Sequence, residues 1–200
     1  ASSFNQDIGD WDVSKVTNMS QMFSRARNFN QDIGNWDVSS VENMDRMFFI
    51  SIEFNQDISE WVVSKVINMF QMFAFTDGFN QDIGSWDVSS VAFMQGMFSN
   101  AEAFNQNLGD WNIQNVTGMA NMFDNSVLST ENYDATLTGW AAQTVQSDVD
   151  LGADGLTYCD GADARGVLTG APNNWTITGD EIAEDCGEFR PFITTWKTDN

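Results

Sequence analysis

Hydrophobic and polar positions over residues 1–128 follow one pattern that returns every 25 residues. Phe-Asn-Gln opens each unit, a tryptophan stands seven positions after the phenylalanine, and Met-x-x-Met-Phe ends the apolar part. Units 1 to 5 span residues 4–28, 29–53, 54–78, 79–103 and 104–128. A strict period of this length is typical of a solenoid, in which each unit buries its apolar face against its neighbours.

Two elements are predicted within each unit. Trp11 and Val13 of unit 1 alternate with the polar Asp12, which indicates a short strand with both apolar side chains on one face. The next apolar residues are spaced as on one side of a short helix, and they are Val16, Met19, Met22 and Phe23. The pattern predicts an α/β solenoid, a leucine-rich-repeat-like stack with short parallel strands on one face and short helices on the other.

The 25-residue period ends after residue 128. We predict that 129–178 form irregular C-terminal coils that cap the stack, because a terminal unit must close the end of the core. The elements expected there are helices over 129–143 and 162–168 and strands near 149–151, 156–158 and 175–177. Residues 179–200 are predicted to be an acidic linker and the start of a following module.

Polar residues flanking each strand tryptophan form the first candidate binding site. They should project from the concave strand face, where a ligand would meet side chains from several units. The candidates are Asp10, Asp12, Asn35, Asp37, Glu60, Asp87, Asp110 and Asn112. The Asn-Gln pair of each unit has two interpretations, a ligand contact or an amide ladder that satisfies backbone groups between coils.

A second acidic row consists of candidate metal ligands at Asp7, Asp32, Asp57 and Asp82. Carboxylates stacked about 5 Å apart repel one another, so solvent, hydrogen-bond donors or a cation must compensate them. Oxygen-only ligands favour calcium among biological metals, and no other cofactor is predicted. The alternative is that these aspartates cap turns through backbone amides.

Apolar residues replace polar ones at several positions of units 2 to 4. Helical spacing would place them on the outer side of the predicted helices as a partner patch. They are Ile50, Ile67, Phe70, Phe75 and Phe93. The patch predicts a partner or self-association surface centred on Phe70, and the alternative is that loops fold over these side chains.

Charge and residue types exclude several classes of function. Acidic residues number 29 against 8 basic ones, so the formal net charge is −21, which disfavours nucleic acid and anionic membrane surfaces as partners. No apolar stretch is long enough to span a bilayer. The sequence has no histidine and no phosphate-binding glycine motif, so histidine-dependent catalysis is excluded and an enzyme is not expected.

The two cysteines, Cys159 and Cys186, lie outside the repeats and form no metal-binding pattern. We predict a disulfide between them, which would indicate an oxidising compartment, and free buried thiols are the alternative.

The repeat motif Phe-Asn-Gln-Asp-Ile-Gly-x-Trp-Asp-Val-Ser-x-Val-x-x-Met-x-x-Met-Phe resembles that of the BspA-like leucine-rich-repeat family of bacterial surface proteins. The resemblance covers residues 4–128. It implies a secreted or surface-anchored multidomain protein, without common catalytic residues, that takes part in adhesion. We therefore expect an extracellular module that binds a surface glycan or protein. The alternative is a structural spacer. Calcium is the one ion that either is expected to bind.

Overall fold

The computed structural model describes residues 2–184, 186 and 187 of the chain. Within them, the regular elements all follow the repeats. The helices are α1 (Thr130–Ala141) and α2 (Ala162–Thr169). The strands are β1 (Asp150–Gly152), β2 (Thr157–Tyr158), β3 (Thr176–Thr178) and β4 (Glu181–Ile182). β1 pairs with β3 and β2 with β4, both in parallel.

Turns take the place of the helices predicted inside the repeats, and residues 2–128 contain neither those helices nor the predicted Trp–Val strands. Gln21 and Arg25 have φ values of 59° and 62°. Positive φ at the same two positions of every unit is incompatible with a right-handed helix. Successive turns still direct Met19 and Phe23 inward, which explains why the apolar spacing imitates a helix.

Neighbouring units are joined through the turn segment. The Met19 amide donates to the Asn43 carbonyl at 2.9 Å, and the Gln21 amide donates to the Asp45 carbonyl at 2.8 Å. The same bonds recur between later units, and parallel bridges link residues 18, 43, 68, 93 and 118. The inter-unit ladder therefore begins two residues after Val16 in unit 1 and at the equivalent position of later units. The strands were predicted around the tryptophan instead.

The core consists of side-chain columns that run through the stack. Phe48 lies 5.6 Å from Phe73 and 3.9 Å from Phe54, measured between ring centroids. The indole N–H of Trp86 donates to the Ile58 carbonyl of the preceding unit at 3.1 Å. Each tryptophan of units 2 to 5 makes this bond, so each buried indole has a partner.

Helix α1 continues these columns into the cap. Trp140 stacks on Phe123 at 6.1 Å, and its indole N–H donates to the Leu108 carbonyl at 2.9 Å. The helix approaches unit 5 so closely that a Cβ at Gly139 would meet the backbone of Gly109. The cap thus makes the same stacking and indole contacts with unit 5 that a sixth unit would make, but from a helix instead of a turn.

The cap extends into the segment predicted to be a linker, so that prediction was wrong for its first residues. The side chain of Asp180 is fully buried and accepts two hydrogen bonds of 2.7 Å from Arg165, and β4 follows directly. Burial raises the pKa of Tyr133, whose hydroxyl donates to Asp180 at 3.0 Å. The structure contains the disulfide between Cys159 and Cys186, and the predicted following module lies outside the described residues.

Candidate functional site

The Asp7 row consists of local turn caps. Each first carboxylate oxygen accepts the backbone N–H two residues ahead, and the four distances lie between 3.0 and 3.1 Å. The row members are Asp7, Asp32, Asp57 and Asp82. Asn107 makes the same bond to Gly109 at 2.8 Å in unit 5. A neutral amide therefore performs the same structural task as the carboxylates.

The aspartates after the tryptophans also cap turns. Asp12 accepts the Ser14 hydroxyl at 2.6 Å and the Ser14 amide at 3.1 Å. Hydrogen bonds from the serine side chain and backbone hold the pKa of Asp12 below its usual value. Serine has the same effect on the pKa values of Asp37 and Asp87. These carboxylates are therefore ionised at neutral pH.

Two adjoining grooves lie on unit 5, the first between unit 5 and the cap and the second between units 4 and 5. The first has a volume of about 1110 Å³ and the second about 610 Å³, and Asn107 and Asp110 line both. We call the pair the acidic groove. Its carboxylates are Asp82, Asp87, Asp110, Glu131, Asp134 and Asp160, and none of the described residues that line either part is a lysine or arginine.

Asp134 differs from the other carboxylates because it is buried and holds the cap together. It accepts the amides of Cys159 and Asp160 at 3.0 and 2.9 Å. Its position in the groove is therefore fixed by the backbone of the disulfide segment. The remaining carboxylates give the groove its solvent-facing negative charge.

All eight predicted ligand-binding residues are exposed, as the sequence led us to expect of a surface row. The structure brings three of them together in the acidic groove, and these are Asp87, Asp110 and Asn112. The other five lie along units 1 to 3. The groove residues contributed by the cap, such as Glu131 and Asp160, were missed because the sequence has no period there to align them with the rows.

No group of three or more His, Cys, Asp or Glu side chains within the described part of the chain is arranged to hold a metal ion. Calcium binding by the Asp7 row stays a prediction. The turn amides described above already supply donors to each of its carboxylates.

The Asn-Gln pairs form an amide ladder between units. Asn30 accepts the Asn55 amide at 3.0 Å and the Gln56 side-chain amide at 2.9 Å. Equivalent bonds run from unit 1 to Asn132 of α1. The ladder interpretation accounts for these amides, although their outer edges are also accessible to a ligand.

Phe70 is not the exposed centre of the predicted apolar patch, because an arginine lies over its ring. Phe70 is half-buried, and the Arg46 guanidinium carbon lies 4.7 Å from its ring centroid. Ile50 is also half-buried, while Ile67, Phe75 and Phe93 are 47%, 41% and 43% exposed. The sequence missed this arrangement because left-handed turns direct Arg46 across the ring, which helical spacing does not anticipate.

Comparisons with known proteins bear on the repeat region. A family model described as "Mycoplasma protein of unknown function, DUF285" matches residues 1–76 and 40–140. No curated protein and no solved structure matches the chain. Neither helix in the described part is long and apolar enough to cross a membrane. The matched residues cover well over half of the chain, which therefore belongs to the DUF285 family, a family associated with BspA-like surface repeat proteins.

Proposed function

We propose that this chain is a non-enzymatic binding module of a secreted or cell-surface protein. Its acidic groove would contact a glycan or protein that presents hydrogen-bond donors or positive charge. The observation that carries the proposal is the groove lining, with six carboxylates and no basic side chain among its described residues. A surface lined by one sign of charge favours ligands of the opposite sign and hydroxyl-rich ligands.

The chemistry of the individual carboxylates supports this proposal. The first oxygen of Asp82 and of Asp87 accepts its own turn amide. A carboxylate has lone pairs to spare, so its second oxygen can accept a further hydrogen bond from a partner. The turn bond fixes the side chain in advance, which lowers the entropy lost on binding.

The stacked units also support a leucine-rich-repeat-like solenoid as the class of scaffold, which we propose together with the binding role. Their inter-unit hydrogen bonds keep one register across five units. The disulfide is compatible with an extracellular location, because such bonds persist in oxidising compartments.

A triple variant tests the proposed groove. Asp87→Asn, Asp110→Asn and Glu131→Gln together remove three groove charges, and we expect at least tenfold weaker binding to ligands found on glycan and extracellular-protein arrays. The matched control is Asp7→Asn, Asp12→Asn and Glu53→Gln, which removes the same charge from exposed residues of units 1 and 2. Equal loss in both triple variants would refute a localised site.

The second candidate function is a structural spacer that holds other modules apart. The uninterrupted ladder from unit 1 into the cap favours it, because a hydrogen-bonded stack resists bending. Absence of any array ligand, together with a rod-like profile in small-angle X-ray scattering, would support the spacer over the binding module.

A further inference from the structure

A second groove with the opposite charge crosses the turn segments of units 1 to 3. It has a volume of about 570 Å³. Its lining residues are Gln21, Ser24, Arg25, Arg46, Phe49 and Gln71. We call it the arginine groove, and it is separate in sequence and in lining from the acidic groove near the cap.

The backbone beneath the arginine groove is fixed by the inter-unit ladder. Arg46 donates its amide to the Phe70 carbonyl at 2.8 Å, and Gln71 donates to the Gln95 carbonyl at 2.9 Å. Gln21, Arg46 and Gln71 occupy equivalent positions with φ values of 59°, 51° and 50°. Three consecutive units therefore present a polar side chain at the same position of the turn.

Arg46 is held in place before any ligand arrives. Its Nε donates to Gln71 Oε1 at 2.9 Å, and its guanidinium lies over the Phe70 ring. Its Nη1 forms a long ion pair with Asp45 Oδ1 at 3.9 Å, which is beyond hydrogen-bond distance. The Nη groups are thus placed to donate to a carboxylate or sulfate, the anions that a planar guanidinium matches best.

The charge of this groove contrasts with that of the whole chain. Two of the 8 basic residues, Arg25 and Arg46, line it, and among the described residues its lining contains no acidic side chain, although Asp45 lies beside it in the ion pair with Arg46. In a protein of net charge −21, a groove with only positive side chains favours an anionic ligand over the cationic partners that suit the acidic groove.

The shape and lining restrict the class of anion. A volume of about 570 Å³ falls within the range of sites that bind small molecules. Two glutamines and a serine provide donors and acceptors for hydroxyl groups, while the Phe49 ring provides one apolar surface. A sugar ring with an anionic substituent offers a negative charge for the arginines, hydroxyl groups for the polar side chains and an apolar ring face for Phe49.

We propose that the arginine groove binds an anionic sugar unit, a uronic acid or sulfated residue within a glycan chain. The arginines bind the charged group, the glutamines and Ser24 bind hydroxyl groups, and Phe49 contacts the apolar face of the ring. This site is additional to the proposed acidic groove and requires a negatively charged ligand, whereas the acidic groove favours hydrogen-bond donors or positive charge.

Calorimetric titration with trigalacturonate, and with maltotriose as the neutral probe, tests the proposal on the whole chain. We expect binding of trigalacturonate that weakens with added salt, and at least tenfold weaker binding of maltotriose. Arg46→Gln and Arg25→Asn should each reduce trigalacturonate affinity at least tenfold. Both substitutions introduce residues that other units carry at the equivalent turn position, such as Gln71 and Asn100, so the fold should persist.

Two control variants complete the experiment. Lys15→Gln removes one exposed positive charge elsewhere and should leave affinity unchanged, as should the triple variant of the acidic groove, which separates this site from the proposed function. Equal weakening by Lys15→Gln, or equal affinity for maltotriose, would overturn the proposal. So would tighter binding of an acidic peptide, or self-association that Arg46→Gln abolishes, because either result identifies the groove as a protein-binding site.

Discussion

The tryptophan of each of units 2 to 5 contributes twice to stability, through the volume that it fills and through its indole N–H. Trp86 is 3% exposed and donates to the Ile58 carbonyl. Trp86→Ala should lower the free energy of unfolding by about 3 to 5 kcal/mol, because it leaves a cavity in the core. Chemical denaturation monitored by circular dichroism measures the loss.

Two further variants separate the causes of that loss. Trp86→Phe keeps most of the volume and removes the donor, so it should cost about 0.5 to 1.5 kcal/mol, because the Ile58 carbonyl still accepts the Trp61 amide. Asp87→Asn can still accept the Ser89 amide and should stay within about 0.5 kcal/mol of the parent. If Asp87→Asn were as damaging as Trp86→Ala, the acidic row would be a structural element of the stack.

Ile50 has an unfavourable backbone conformation for a β-branched residue, with a φ of 59°. Asn100 and Asn125 adopt nearly the same φ at equivalent positions, and asparagine tolerates this region better. Ile50→Asn should therefore stabilise the protein by about 1 kcal/mol, which raises Tm by about 2 to 4 °C. The reverse exchange Asn100→Ile should lower Tm, and a rise for both would contradict the argument.

The ionisation of Asp87 links its turn to pH. Hydrogen bonds from Ser89 lower its pKa in the folded state. The stability gained from this ionisation is complete above the unfolded pKa of about 3.9 and is lost as pH falls through the lower folded pKa. A carboxyl carbon-13 NMR titration should show Ser89→Ala raising the pKa of Asp87, whereas Ser14→Ala in unit 1 leaves it unchanged.

At the scale of elements, the cap could be predicted from sequence better than the repeats. Helix α2 was expected over 162–168 and spans Ala162–Thr169. This segment lies outside the 25-residue repeat, so its apolar spacing reflects the helix alone. In the repeats, apolar residues at spacings of three and four fit both a helix and a series of turns. The difference depends on left-handed residues such as Gln21 and Arg46, which have no strong preference for that conformation.

The acidic groove shows the same limit for sites. Row members such as Asp87 and Asp110 could be predicted because the period aligns them. Glu131 and Asp160 could not, since they reach the groove only through the docking of α1 and the disulfide segment on unit 5. Asp180 was also predicted to lie in an acidic linker. Its partner Arg165 lies 15 residues earlier, and no sequence pattern connects the two.

The Arg165–Asp180 pair should determine whether the cap stays closed. The side chain of Asp180 is fully buried, so Arg165→Met leaves an unpaired charge and should cost about 3 kcal/mol or more. Adding Asp180→Asn neutralises that charge, and the amide oxygen can still accept the Tyr133 hydroxyl. The double variant should therefore be more stable than Arg165→Met alone in denaturant melts. Additive losses would show that the two side chains act independently.

At the scale of the whole molecule, binding and stability make opposite demands on charge. The repeats align carboxylates in rows, and the formal net charge is −21. Each carboxylate of the Asp7 row keeps its turn amide, so the turns are satisfied locally while repulsion accumulates along the stack. The stack tolerates this repulsion because its hydrophobic columns and inter-unit hydrogen bonds extend through every unit.

Removing the Asp7 row charges should therefore stabilise the protein at low salt. Asn107 shows that asparagine caps the same turn, so Asp7, Asp32, Asp57 and Asp82 can all be changed to asparagine without losing the caps. We expect a higher Tm than the parent at low ionic strength and a weaker rise of Tm with sodium chloride, because salt screens the repulsion that the variant lacks. Measuring Tm in calcium and in magnesium at equal ionic strength distinguishes screening of the charges from binding of calcium by the row. If calcium raised the Tm of the parent more than magnesium, and the variant lost that difference, the row would be a calcium site and the repulsion argument would fail.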